Sequence, residues 1–325
     1  MKIVIQVSKV IIFIFLFSVI WFYIDSVLKP KFFDGIEPLT EFYRFPRQSI
    51  DVAFFGSSHM EFSINPVIIW QEKGIPSYVL SGSIQPLWNS YYYIKECLKY
   101  QSPKVIVLEG FTSAVDVELD WSRIVKNNIG LKMSKDKIES IMVSAPKINW
   151  LELIIGLPVY HMRYKELTKR DFVDPYIRGE KAYNNGFYTF DKIVPQLRPD
   201  VAGITSLRDI PEKQFKYLNK IIDLAKSKNI ELLFVITPYV LSSIEQERFN
   251  CLHKLAKENN IKFINYNLLY EKVGLDFSSD FLDSQHLNIN GSRKISKHLA
   301  SILFTEYRLE DKRQNPDYAK WNSMV

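Results

Sequence analysis

Short, continuously apolar runs punctuate this chain, and between them lie stretches in which apolar residues return every three or four positions. "DVAFFG" (51–56), "PSYVLS" (76–81), "KVIVLEG" (104–110), "ELLFVITP" (231–238) and "KFINY" (262–266) have strand length. Most are too uniformly apolar for a sheet with one wet face, so they predict buried parallel strands. The intervening patterns predict helices over 86–100 (with Trp88, Tyr92, Ile94 and Leu98), over 212–228 (with Phe215, Leu218, Ile221, Ile222 and Leu224) and over 241–260. A last helix over about 291–305 sets Ile295, Leu299, Ile302 and Leu303 on one face at i, i+4, i+7, i+8. Strands alternating with helices argue for an α/β domain whose parallel sheet is linked by crossovers.

The third and fourth apolar runs are separated by about 120 residues, far more than a crossover needs. The segment 112–205 is rich in aromatic and charged residues, including Trp121, Trp150, Tyr160, His161, Tyr164, Tyr183, Phe187 and Tyr188. It reads as a helical insertion able to cap one edge of the sheet, either as packing alone or in contact with substrate. The polar end of the chain, "RLEDKRQNPDYAKWNSMV", is expected to be loosely held. The domain plan is then an anchor over 1–30, an α/β domain over 31–308 and a tail over 309–325.

The first residues have a different pattern. "VIIFIFLFSVIWFYI" (10–24) has Ser18 as its only polar residue, and extension back to Ile3 adds only Gln6, Ser8 and Lys9 as interruptions. A helix over 3–24 measures roughly 33 Å, enough to cross a hydrocarbon core of about 30 Å. A cleaved signal peptide is the alternative, but "FYIDSVLKPK" offers no small-x-small exit. Lys2 and Lys9 favour an amino terminus inside the cell and a domain outside it, against the weaker pull of Lys29 and Lys31.

A formal charge of +6 over 325 residues gives a mildly basic protein, but the cations are scattered. Two small concentrations, "RYKELTKRD" (163–171) and "SRKISKH" (292–298), read as solvated helix faces before they read as a lipid or nucleic-acid patch. No nucleic-acid module, Gly-rich phosphate loop or metal-ligand spacing occurs, so neither a metal nor a cofactor is expected. Cys97 and Cys251, both in helical patterns, read as ordinary thiols.

Chemistry concentrates in two places. "FFGSSHMEF" closes the first strand with Gly56, Ser57 and Ser58, and ligands of open parallel sheets gather beyond the carboxyl ends of strands. Either serine can cap the following helix or face the crevice. "FLDSQHLNINGS" (281–292) sets Asp283 three residues before His286, in a polar loop ahead of the last helix. A serine needs a base, and an imidazole base needs an acceptor to hold its tautomer. Asp283 and His286 can supply both. Of the five histidines, His59 adjoins the serines and points away from Ser58, His253 and His298 fall in helices, and His161 lies in the insertion, where it can touch substrate.

"FFGSSH", "LSGSIQ" and "DSQHLNINGS", in that order, resemble the conserved blocks of the SGNH/GDSL hydrolase superfamily. More narrowly they resemble its membrane-anchored bacterial branch, which includes the D-alanyl lipoteichoic acid transfer protein and the acetyltransferases of exopolysaccharide export. The resemblance implies a flavodoxin-like three-layer sheet, the SGNH hydrolase fold. It places the nucleophile on Ser58, the base on His286, the acid on Asp283, and oxyanion-hole donors on the amides of Ser58 and Gly82, with Gln85 as a polar neighbour. It implies an esterase or O-acyltransferase acting on a surface glycan or polymer, and a membrane-bound acyltransferase partner. One block departs from the pattern: the third strand ends "VLEGFTSA", where many members carry the Asn that completes the oxyanion hole. That departure keeps a silent, membrane-tethered scaffold as the alternative, and a lipase or thioesterase at the membrane surface as a third reading.

Overall fold

Five strands with no exposed face need helices on both sides, and the computed structural model has that arrangement. It describes residues 2–30, 35–173, 185–188 and 190–322; Tyr183 and Lys31 fall outside them. In chain order the elements are α1 (Lys2–Leu28), α2 (Glu37–Phe42), β1 (Val52–Gly56), α3 (Ser58–Ser63), α4 (Pro66–Lys73), β2 (Ser77–Ser81), α5 (Leu87–Cys97) and β3 (Val105–Glu109). Then come the short helices α6 (Trp121–Asn128), α7 (Lys135–Ser144), α8 (Trp150–Ile155), α9 (Leu157–Tyr160) and α10 (Lys169–Val173). The α/β alternation resumes with α11 (Glu212–Lys228), β4 (Glu231–Ile236), α12 (Ser243–Glu258), β5 (Lys262–Asn265), α13 (Tyr270–Val273), α14 (Ile289–Thr305) and α15 (Ala319–Asn322).

The sheet is parallel throughout, in the order β2-β1-β3-β4-β5. That is the flavodoxin-like order, with its reversal at β1 and β3. Alternate side chains of each strand feed the two cores. Ala53, Phe55, Ile106, Leu108 and Phe234 pack with α5, α11 and α12. Val52, Phe54, Val105, Val107 and Val235 pack with α3, α4 and α14. The three layers therefore follow from runs apolar at every position.

Segment 112–205 forms its own apolar cluster, in which Ile124, Val125, Ile141, Leu153 and Tyr160 surround Ile36. Its returning end runs along the edge strand, where the Asn185 carbonyl accepts a hydrogen bond from Val79 N–H at 2.9 Å. An occupied edge removes a row of unpaired backbone groups. The chain end is not loosely held through residue 322. Leu309 is buried in the second core, Trp321 is buried with its ring 5.4 Å from those of Trp70 and Phe45, and Lys312 Nζ donates to the buried Asp51 carboxylate at 2.7 Å. The few apolar residues of this polar segment are enough to dock it.

α1 is long and apolar enough to cross a membrane by length and composition; most of its apolar side chains up to Ile24 are exposed, whereas Val27 is buried.

Candidate active site

The carboxyl ends of β1, β2 and β3 lie along the same edge of the parallel sheet, and β1 leads through Ser57 directly into α3. Gly56 has ordinary backbone geometry; its role is close approach, because a Cβ there would lie 2.5 Å from Glu109 Cβ. That contact draws the β1–α3 turn onto the end of β3. The two serines that follow have opposite roles. Ser57 is buried and caps α3, its Oγ accepting from His59 N–H at 3.3 Å. The same hydroxyl donates inward to Glu109 Oε2 at 2.9 Å. Ser58, the first residue of the helix, turns its Oγ to within 2.9 Å of His286 Nε2. Ser58 N–H has no partner among the described residues, as expected for a first-turn amide.

The histidine arrives on a tight loop. Phe281 bridges Leu287, and Leu282 N–H donates to the His286 carbonyl at 2.9 Å. Within this loop Asp283 Oδ1 accepts from the backbone N–H groups of Gln285 and His286 at 2.7 and 2.9 Å, and both carboxylate oxygens lie 3.1 Å from His286 Nδ1. Partial burial pushes the Asp283 carboxyl up, but the His286 ring and the two backbone donors outweigh it and hold the group below its usual value. An ionised Asp283 keeps the proton on Nδ1 and leaves Nε2 as the acceptor facing Ser58. Val240 N–H, just past β4, donates to the Ser284 carbonyl at 2.9 Å and ties the loop to the sheet. At the other end Asn288 caps α14, while its Nδ2 donates to the Ser279 carbonyl at 2.8 Å.

Five residues that matter to this geometry carry no motif. Glu109 closes an apolar strand and is fully buried, receiving Ser57 Oγ, Ser57 N–H and Phe111 N–H. Burial raises its pKa to about 7, against those three hydrogen bonds. It supports the serine turn from behind. Phe62, one helical turn beyond Ser58, places its ring 4.6 Å from that of His286. Tyr188 and Phe190, from the end of the insertion, pack on Phe62 at 5.4 and 5.8 Å and extend an aromatic wall along the crevice. Asn127, on α6, fills the space over Gly82: a Cβ on Gly82 would collide with Asn127 Oδ1. Its Nδ2 donates to the Ser83 and Arg123 carbonyls, both at 2.9 Å. A carboxylate ending a buried strand was the one legible sign among these, since it has to find donors.

The other residues singled out in the sequence take the following places. The Gly82 amide donates to the Gly56 carbonyl at 3.3 Å, lengthening the β1–β2 ladder by one residue instead of facing the crevice unpaired. Gln85 is fully buried beside Gly82, its Oε1 accepting from Ser90 Oγ at 3.1 Å, and its Nε2 has no partner among the described residues. His161 is exposed on the 3-10 turn His161–Glu166, with Nδ1 2.7 Å from the Pro158 carbonyl oxygen. That turn packs against α1, and among the described residues His161 makes no contact with the serine cluster. His59 is buried between Phe111, stacked at 4.0 Å, and Tyr239, edge-on at 4.7 Å. Burial, and then the neighbouring His286, lower its pKa well below the usual value, so it stays neutral.

No family model and no curated protein matches the chain. Among solved structures, one titled "putative acylhydrolase" from Bacteroides fragilis NCTC 9343 aligns with a TM-score of 0.41 and 11% identity, over 83% of this chain and 95% of that one.

Proposed function

We propose that the protein is a membrane-anchored serine esterase or O-acyltransferase that forms an acyl-serine intermediate at Ser58 and acts on a cell-surface glycan or polymer. One observation carries the reading: Ser58 Oγ and His286 Nε2 stand 2.9 Å apart although 228 positions separate them in the chain. The closeness of Asp283 and His286 needs only a local turn; the approach of Ser58 needs the whole fold.

In the proposed reaction Ser58 Oγ attacks the ester carbonyl carbon as its proton passes to His286 Nε2, and Asp283 stabilises the resulting imidazolium. Ser58 N–H, first in α3, supports the oxyanion. When the tetrahedral species collapses, the leaving alcohol oxygen takes the proton from His286. Water or a sugar hydroxyl then loses its proton to His286 and attacks the acyl carbon, and Ser58 Oγ leaves with the proton that His286 returns. The aromatic wall of Phe62, Tyr188 and Phe190 would narrow the access of water and favour transfer. With α1 in the bilayer and the amino terminus cytoplasmic, this chemistry would take place outside the cytoplasm.

The second reading, a silent scaffold for surface-polymer assembly, draws on the engaged Gly82 amide. A missing oxyanion donor costs about 3–4 kcal/mol of transition-state stabilisation. Fluorophosphonate labelling of the full chain in detergent, with peptide mapping, separates the two. Modification at Ser58 that disappears in His286→Ala supports the enzyme. A folded protein that takes no label at Ser58 supports the scaffold.

A further inference from the structure

The insertion makes a second set of contacts, far from the serines in sequence, with the end of α1. The Tyr160 hydroxyl hydrogen-bonds the side chain of Asp25, the residue that follows the continuous apolar run 10–24 of the long helix. Arg163 Nη1 donates to the Val27 carbonyl at 2.9 Å, and its Nη2 donates to Asp171 Oδ1 at 2.6 Å. Leu28 packs on the insertion's own apolar cluster. Segment 157–171 is thereby clamped to the point where α1 would leave a bilayer.

Beside this clamp the insertion turns large apolar side chains outward. Leu153 of α8 is fully buried, while Leu151 and Ile155 on its other side are 68% and 39% exposed. Ile148, three residues before Leu151 and so on the same face, is 88% exposed. Met162, Tyr164 and Phe172 are each about half exposed on the segment that holds α1. Cations lie near them in the chain and at the end of α1. Lys147, Lys165 and Lys169 are exposed, and Lys29, Arg44 and Lys132 line a cavity of about 300 Å³ at the end of α1. Exposed apolar side chains interspersed with lysines, on a segment held to the end of an apolar helix, have the chemistry of a monotopic surface in the headgroup region of an anionic leaflet.

We propose that the insertion is a second membrane contact: its face formed by Ile148, Leu151, Ile155, Met162, Tyr164 and Phe172 rests in the lipid interface and sets the orientation of the serine crevice over the bilayer. The proposal depends on α1 spanning the membrane, and it is independent of the chemistry at Ser58. Of the basic run 163–171, which as sequence reads as a solvated face, the exposed Lys165 and Lys169 become part of the charged border of this contact.

The test uses the full chain with Cys251→Ser, reconstituted in vesicles of phosphatidylethanolamine and phosphatidylglycerol, with one bimane-labelled cysteine at a time and doxyl-lipid quenchers. The sites are Phe15→Cys in α1, Leu151→Cys in the face, and Leu197→Cys, an exposed position outside it; circular dichroism verifies each fold. The expected result is quenching by deep doxyl lipids at 15, a blue shift and quenching by shallow doxyl lipids at 151, and neither at 197. Quenching at 15 with a water-like spectrum at 151 overturns the proposal and leaves the anchor standing. Equal quenching at 151 and 197 overturns it by showing that no one face is selected. No quenching at 15 overturns the anchor and this proposal together, whatever the outcome of fluorophosphonate labelling.

Discussion

The Ser57 hydroxyl donates to Glu109 Oε2 at 2.9 Å, and this bond separates two adjacent serines into two roles. Ser57 is bound into the interior, where it caps α3 and satisfies a buried carboxylate. Ser58, one residue on, faces His286. Substituting each should therefore affect different measurements. Ser57→Ala removes a cap and one donor to Glu109 and should lower unfolding free energy in urea by about 1–3 kcal/mol. Fluorophosphonate labelling should persist at Ser58. Ser58→Ala should abolish that labelling and change stability by less than about 0.5 kcal/mol. A stable Ser57→Ala together with a strongly destabilised Ser58→Ala would contradict these assignments.

Glu109 makes stability depend on pH in a direction opposite to that of most carboxylates. Its pKa is raised to about 7 in the folded chain from 4.5. Between those values the folded state holds a proton that the unfolded state has released, so stability falls as pH rises from about 4.5 to about 7 and levels off above. The shift corresponds to about 3 kcal/mol. Asp283 has the opposite sign: its lowered pKa contributes stability at neutral pH that is lost as pH falls through the acidic range. Urea titrations at a series of pH values should show the Glu109 slope. Glu109→Gln should flatten it, while costing about 1–3 kcal/mol at acidic pH because one of the three donors loses its acceptor. An unchanged slope in that variant would remove Glu109 as its source.

Much of this scaffold is legible in the sequence, and the illegible parts share a cause. The five strands lie within the apolar runs because a parallel strand covered on both faces has no polar positions to break it. Helix α11 occupies the expected 212–228, since one apolar stripe over seventeen residues leaves little ambiguity. Asp283 and His286 stand out because a carboxylate and an imidazole in one short polar loop have few other uses. Glu109 is legible as a buried carboxylate that needs donors, but its partners are as invisible as those of Asn127 and Phe62, because each acts through a neighbour remote in sequence. The docked chain end is misread for a related reason. Its polarity hides Trp321, whose burial depends on Trp70, two and a half hundred residues away in a pattern no local window contains. His161 reads as a site residue because it is a histidine in an aromatic segment, but that segment folds onto α1.

Gly82 and Asn127 are coupled by space. A methyl group on Gly82 meets the Asn127 carboxamide oxygen, whose nitrogen is already holding the Ser83 and Arg123 carbonyls. Gly82→Ala should cost about 1–3 kcal/mol as an overpacked site, and Asn127→Ala about 1–2 kcal/mol for the lost bonds. Together they should cost less than the sum by about 1 kcal/mol, because the second substitution vacates the space the first requires. Additive costs in urea unfolding would show that the two side chains do not compete for that space.

Asp283 does two things, and one substitution separates them. Its Oδ1 shapes the loop by accepting from Gln285 and His286 N–H, and its charge faces His286 Nδ1. Asp283→Asn can keep the first function, since an amide oxygen accepts the same backbone donors, but its charge is gone and its NH2 group favours the wrong imidazole tautomer. Asp283→Ala loses both. If the charge matters, Asp283→Asn should fold like the parent and label with fluorophosphonate more slowly by roughly 10²- to 10⁴-fold, the range associated with a positioned base. Asp283→Ala should label at least as slowly and lose about 1–2 kcal/mol of stability from the loop. If Asp283→Asn labels at the parent rate while Asp283→Ala does not, the residue acts by shaping the turn alone, and His286 must hold its tautomer by another contact.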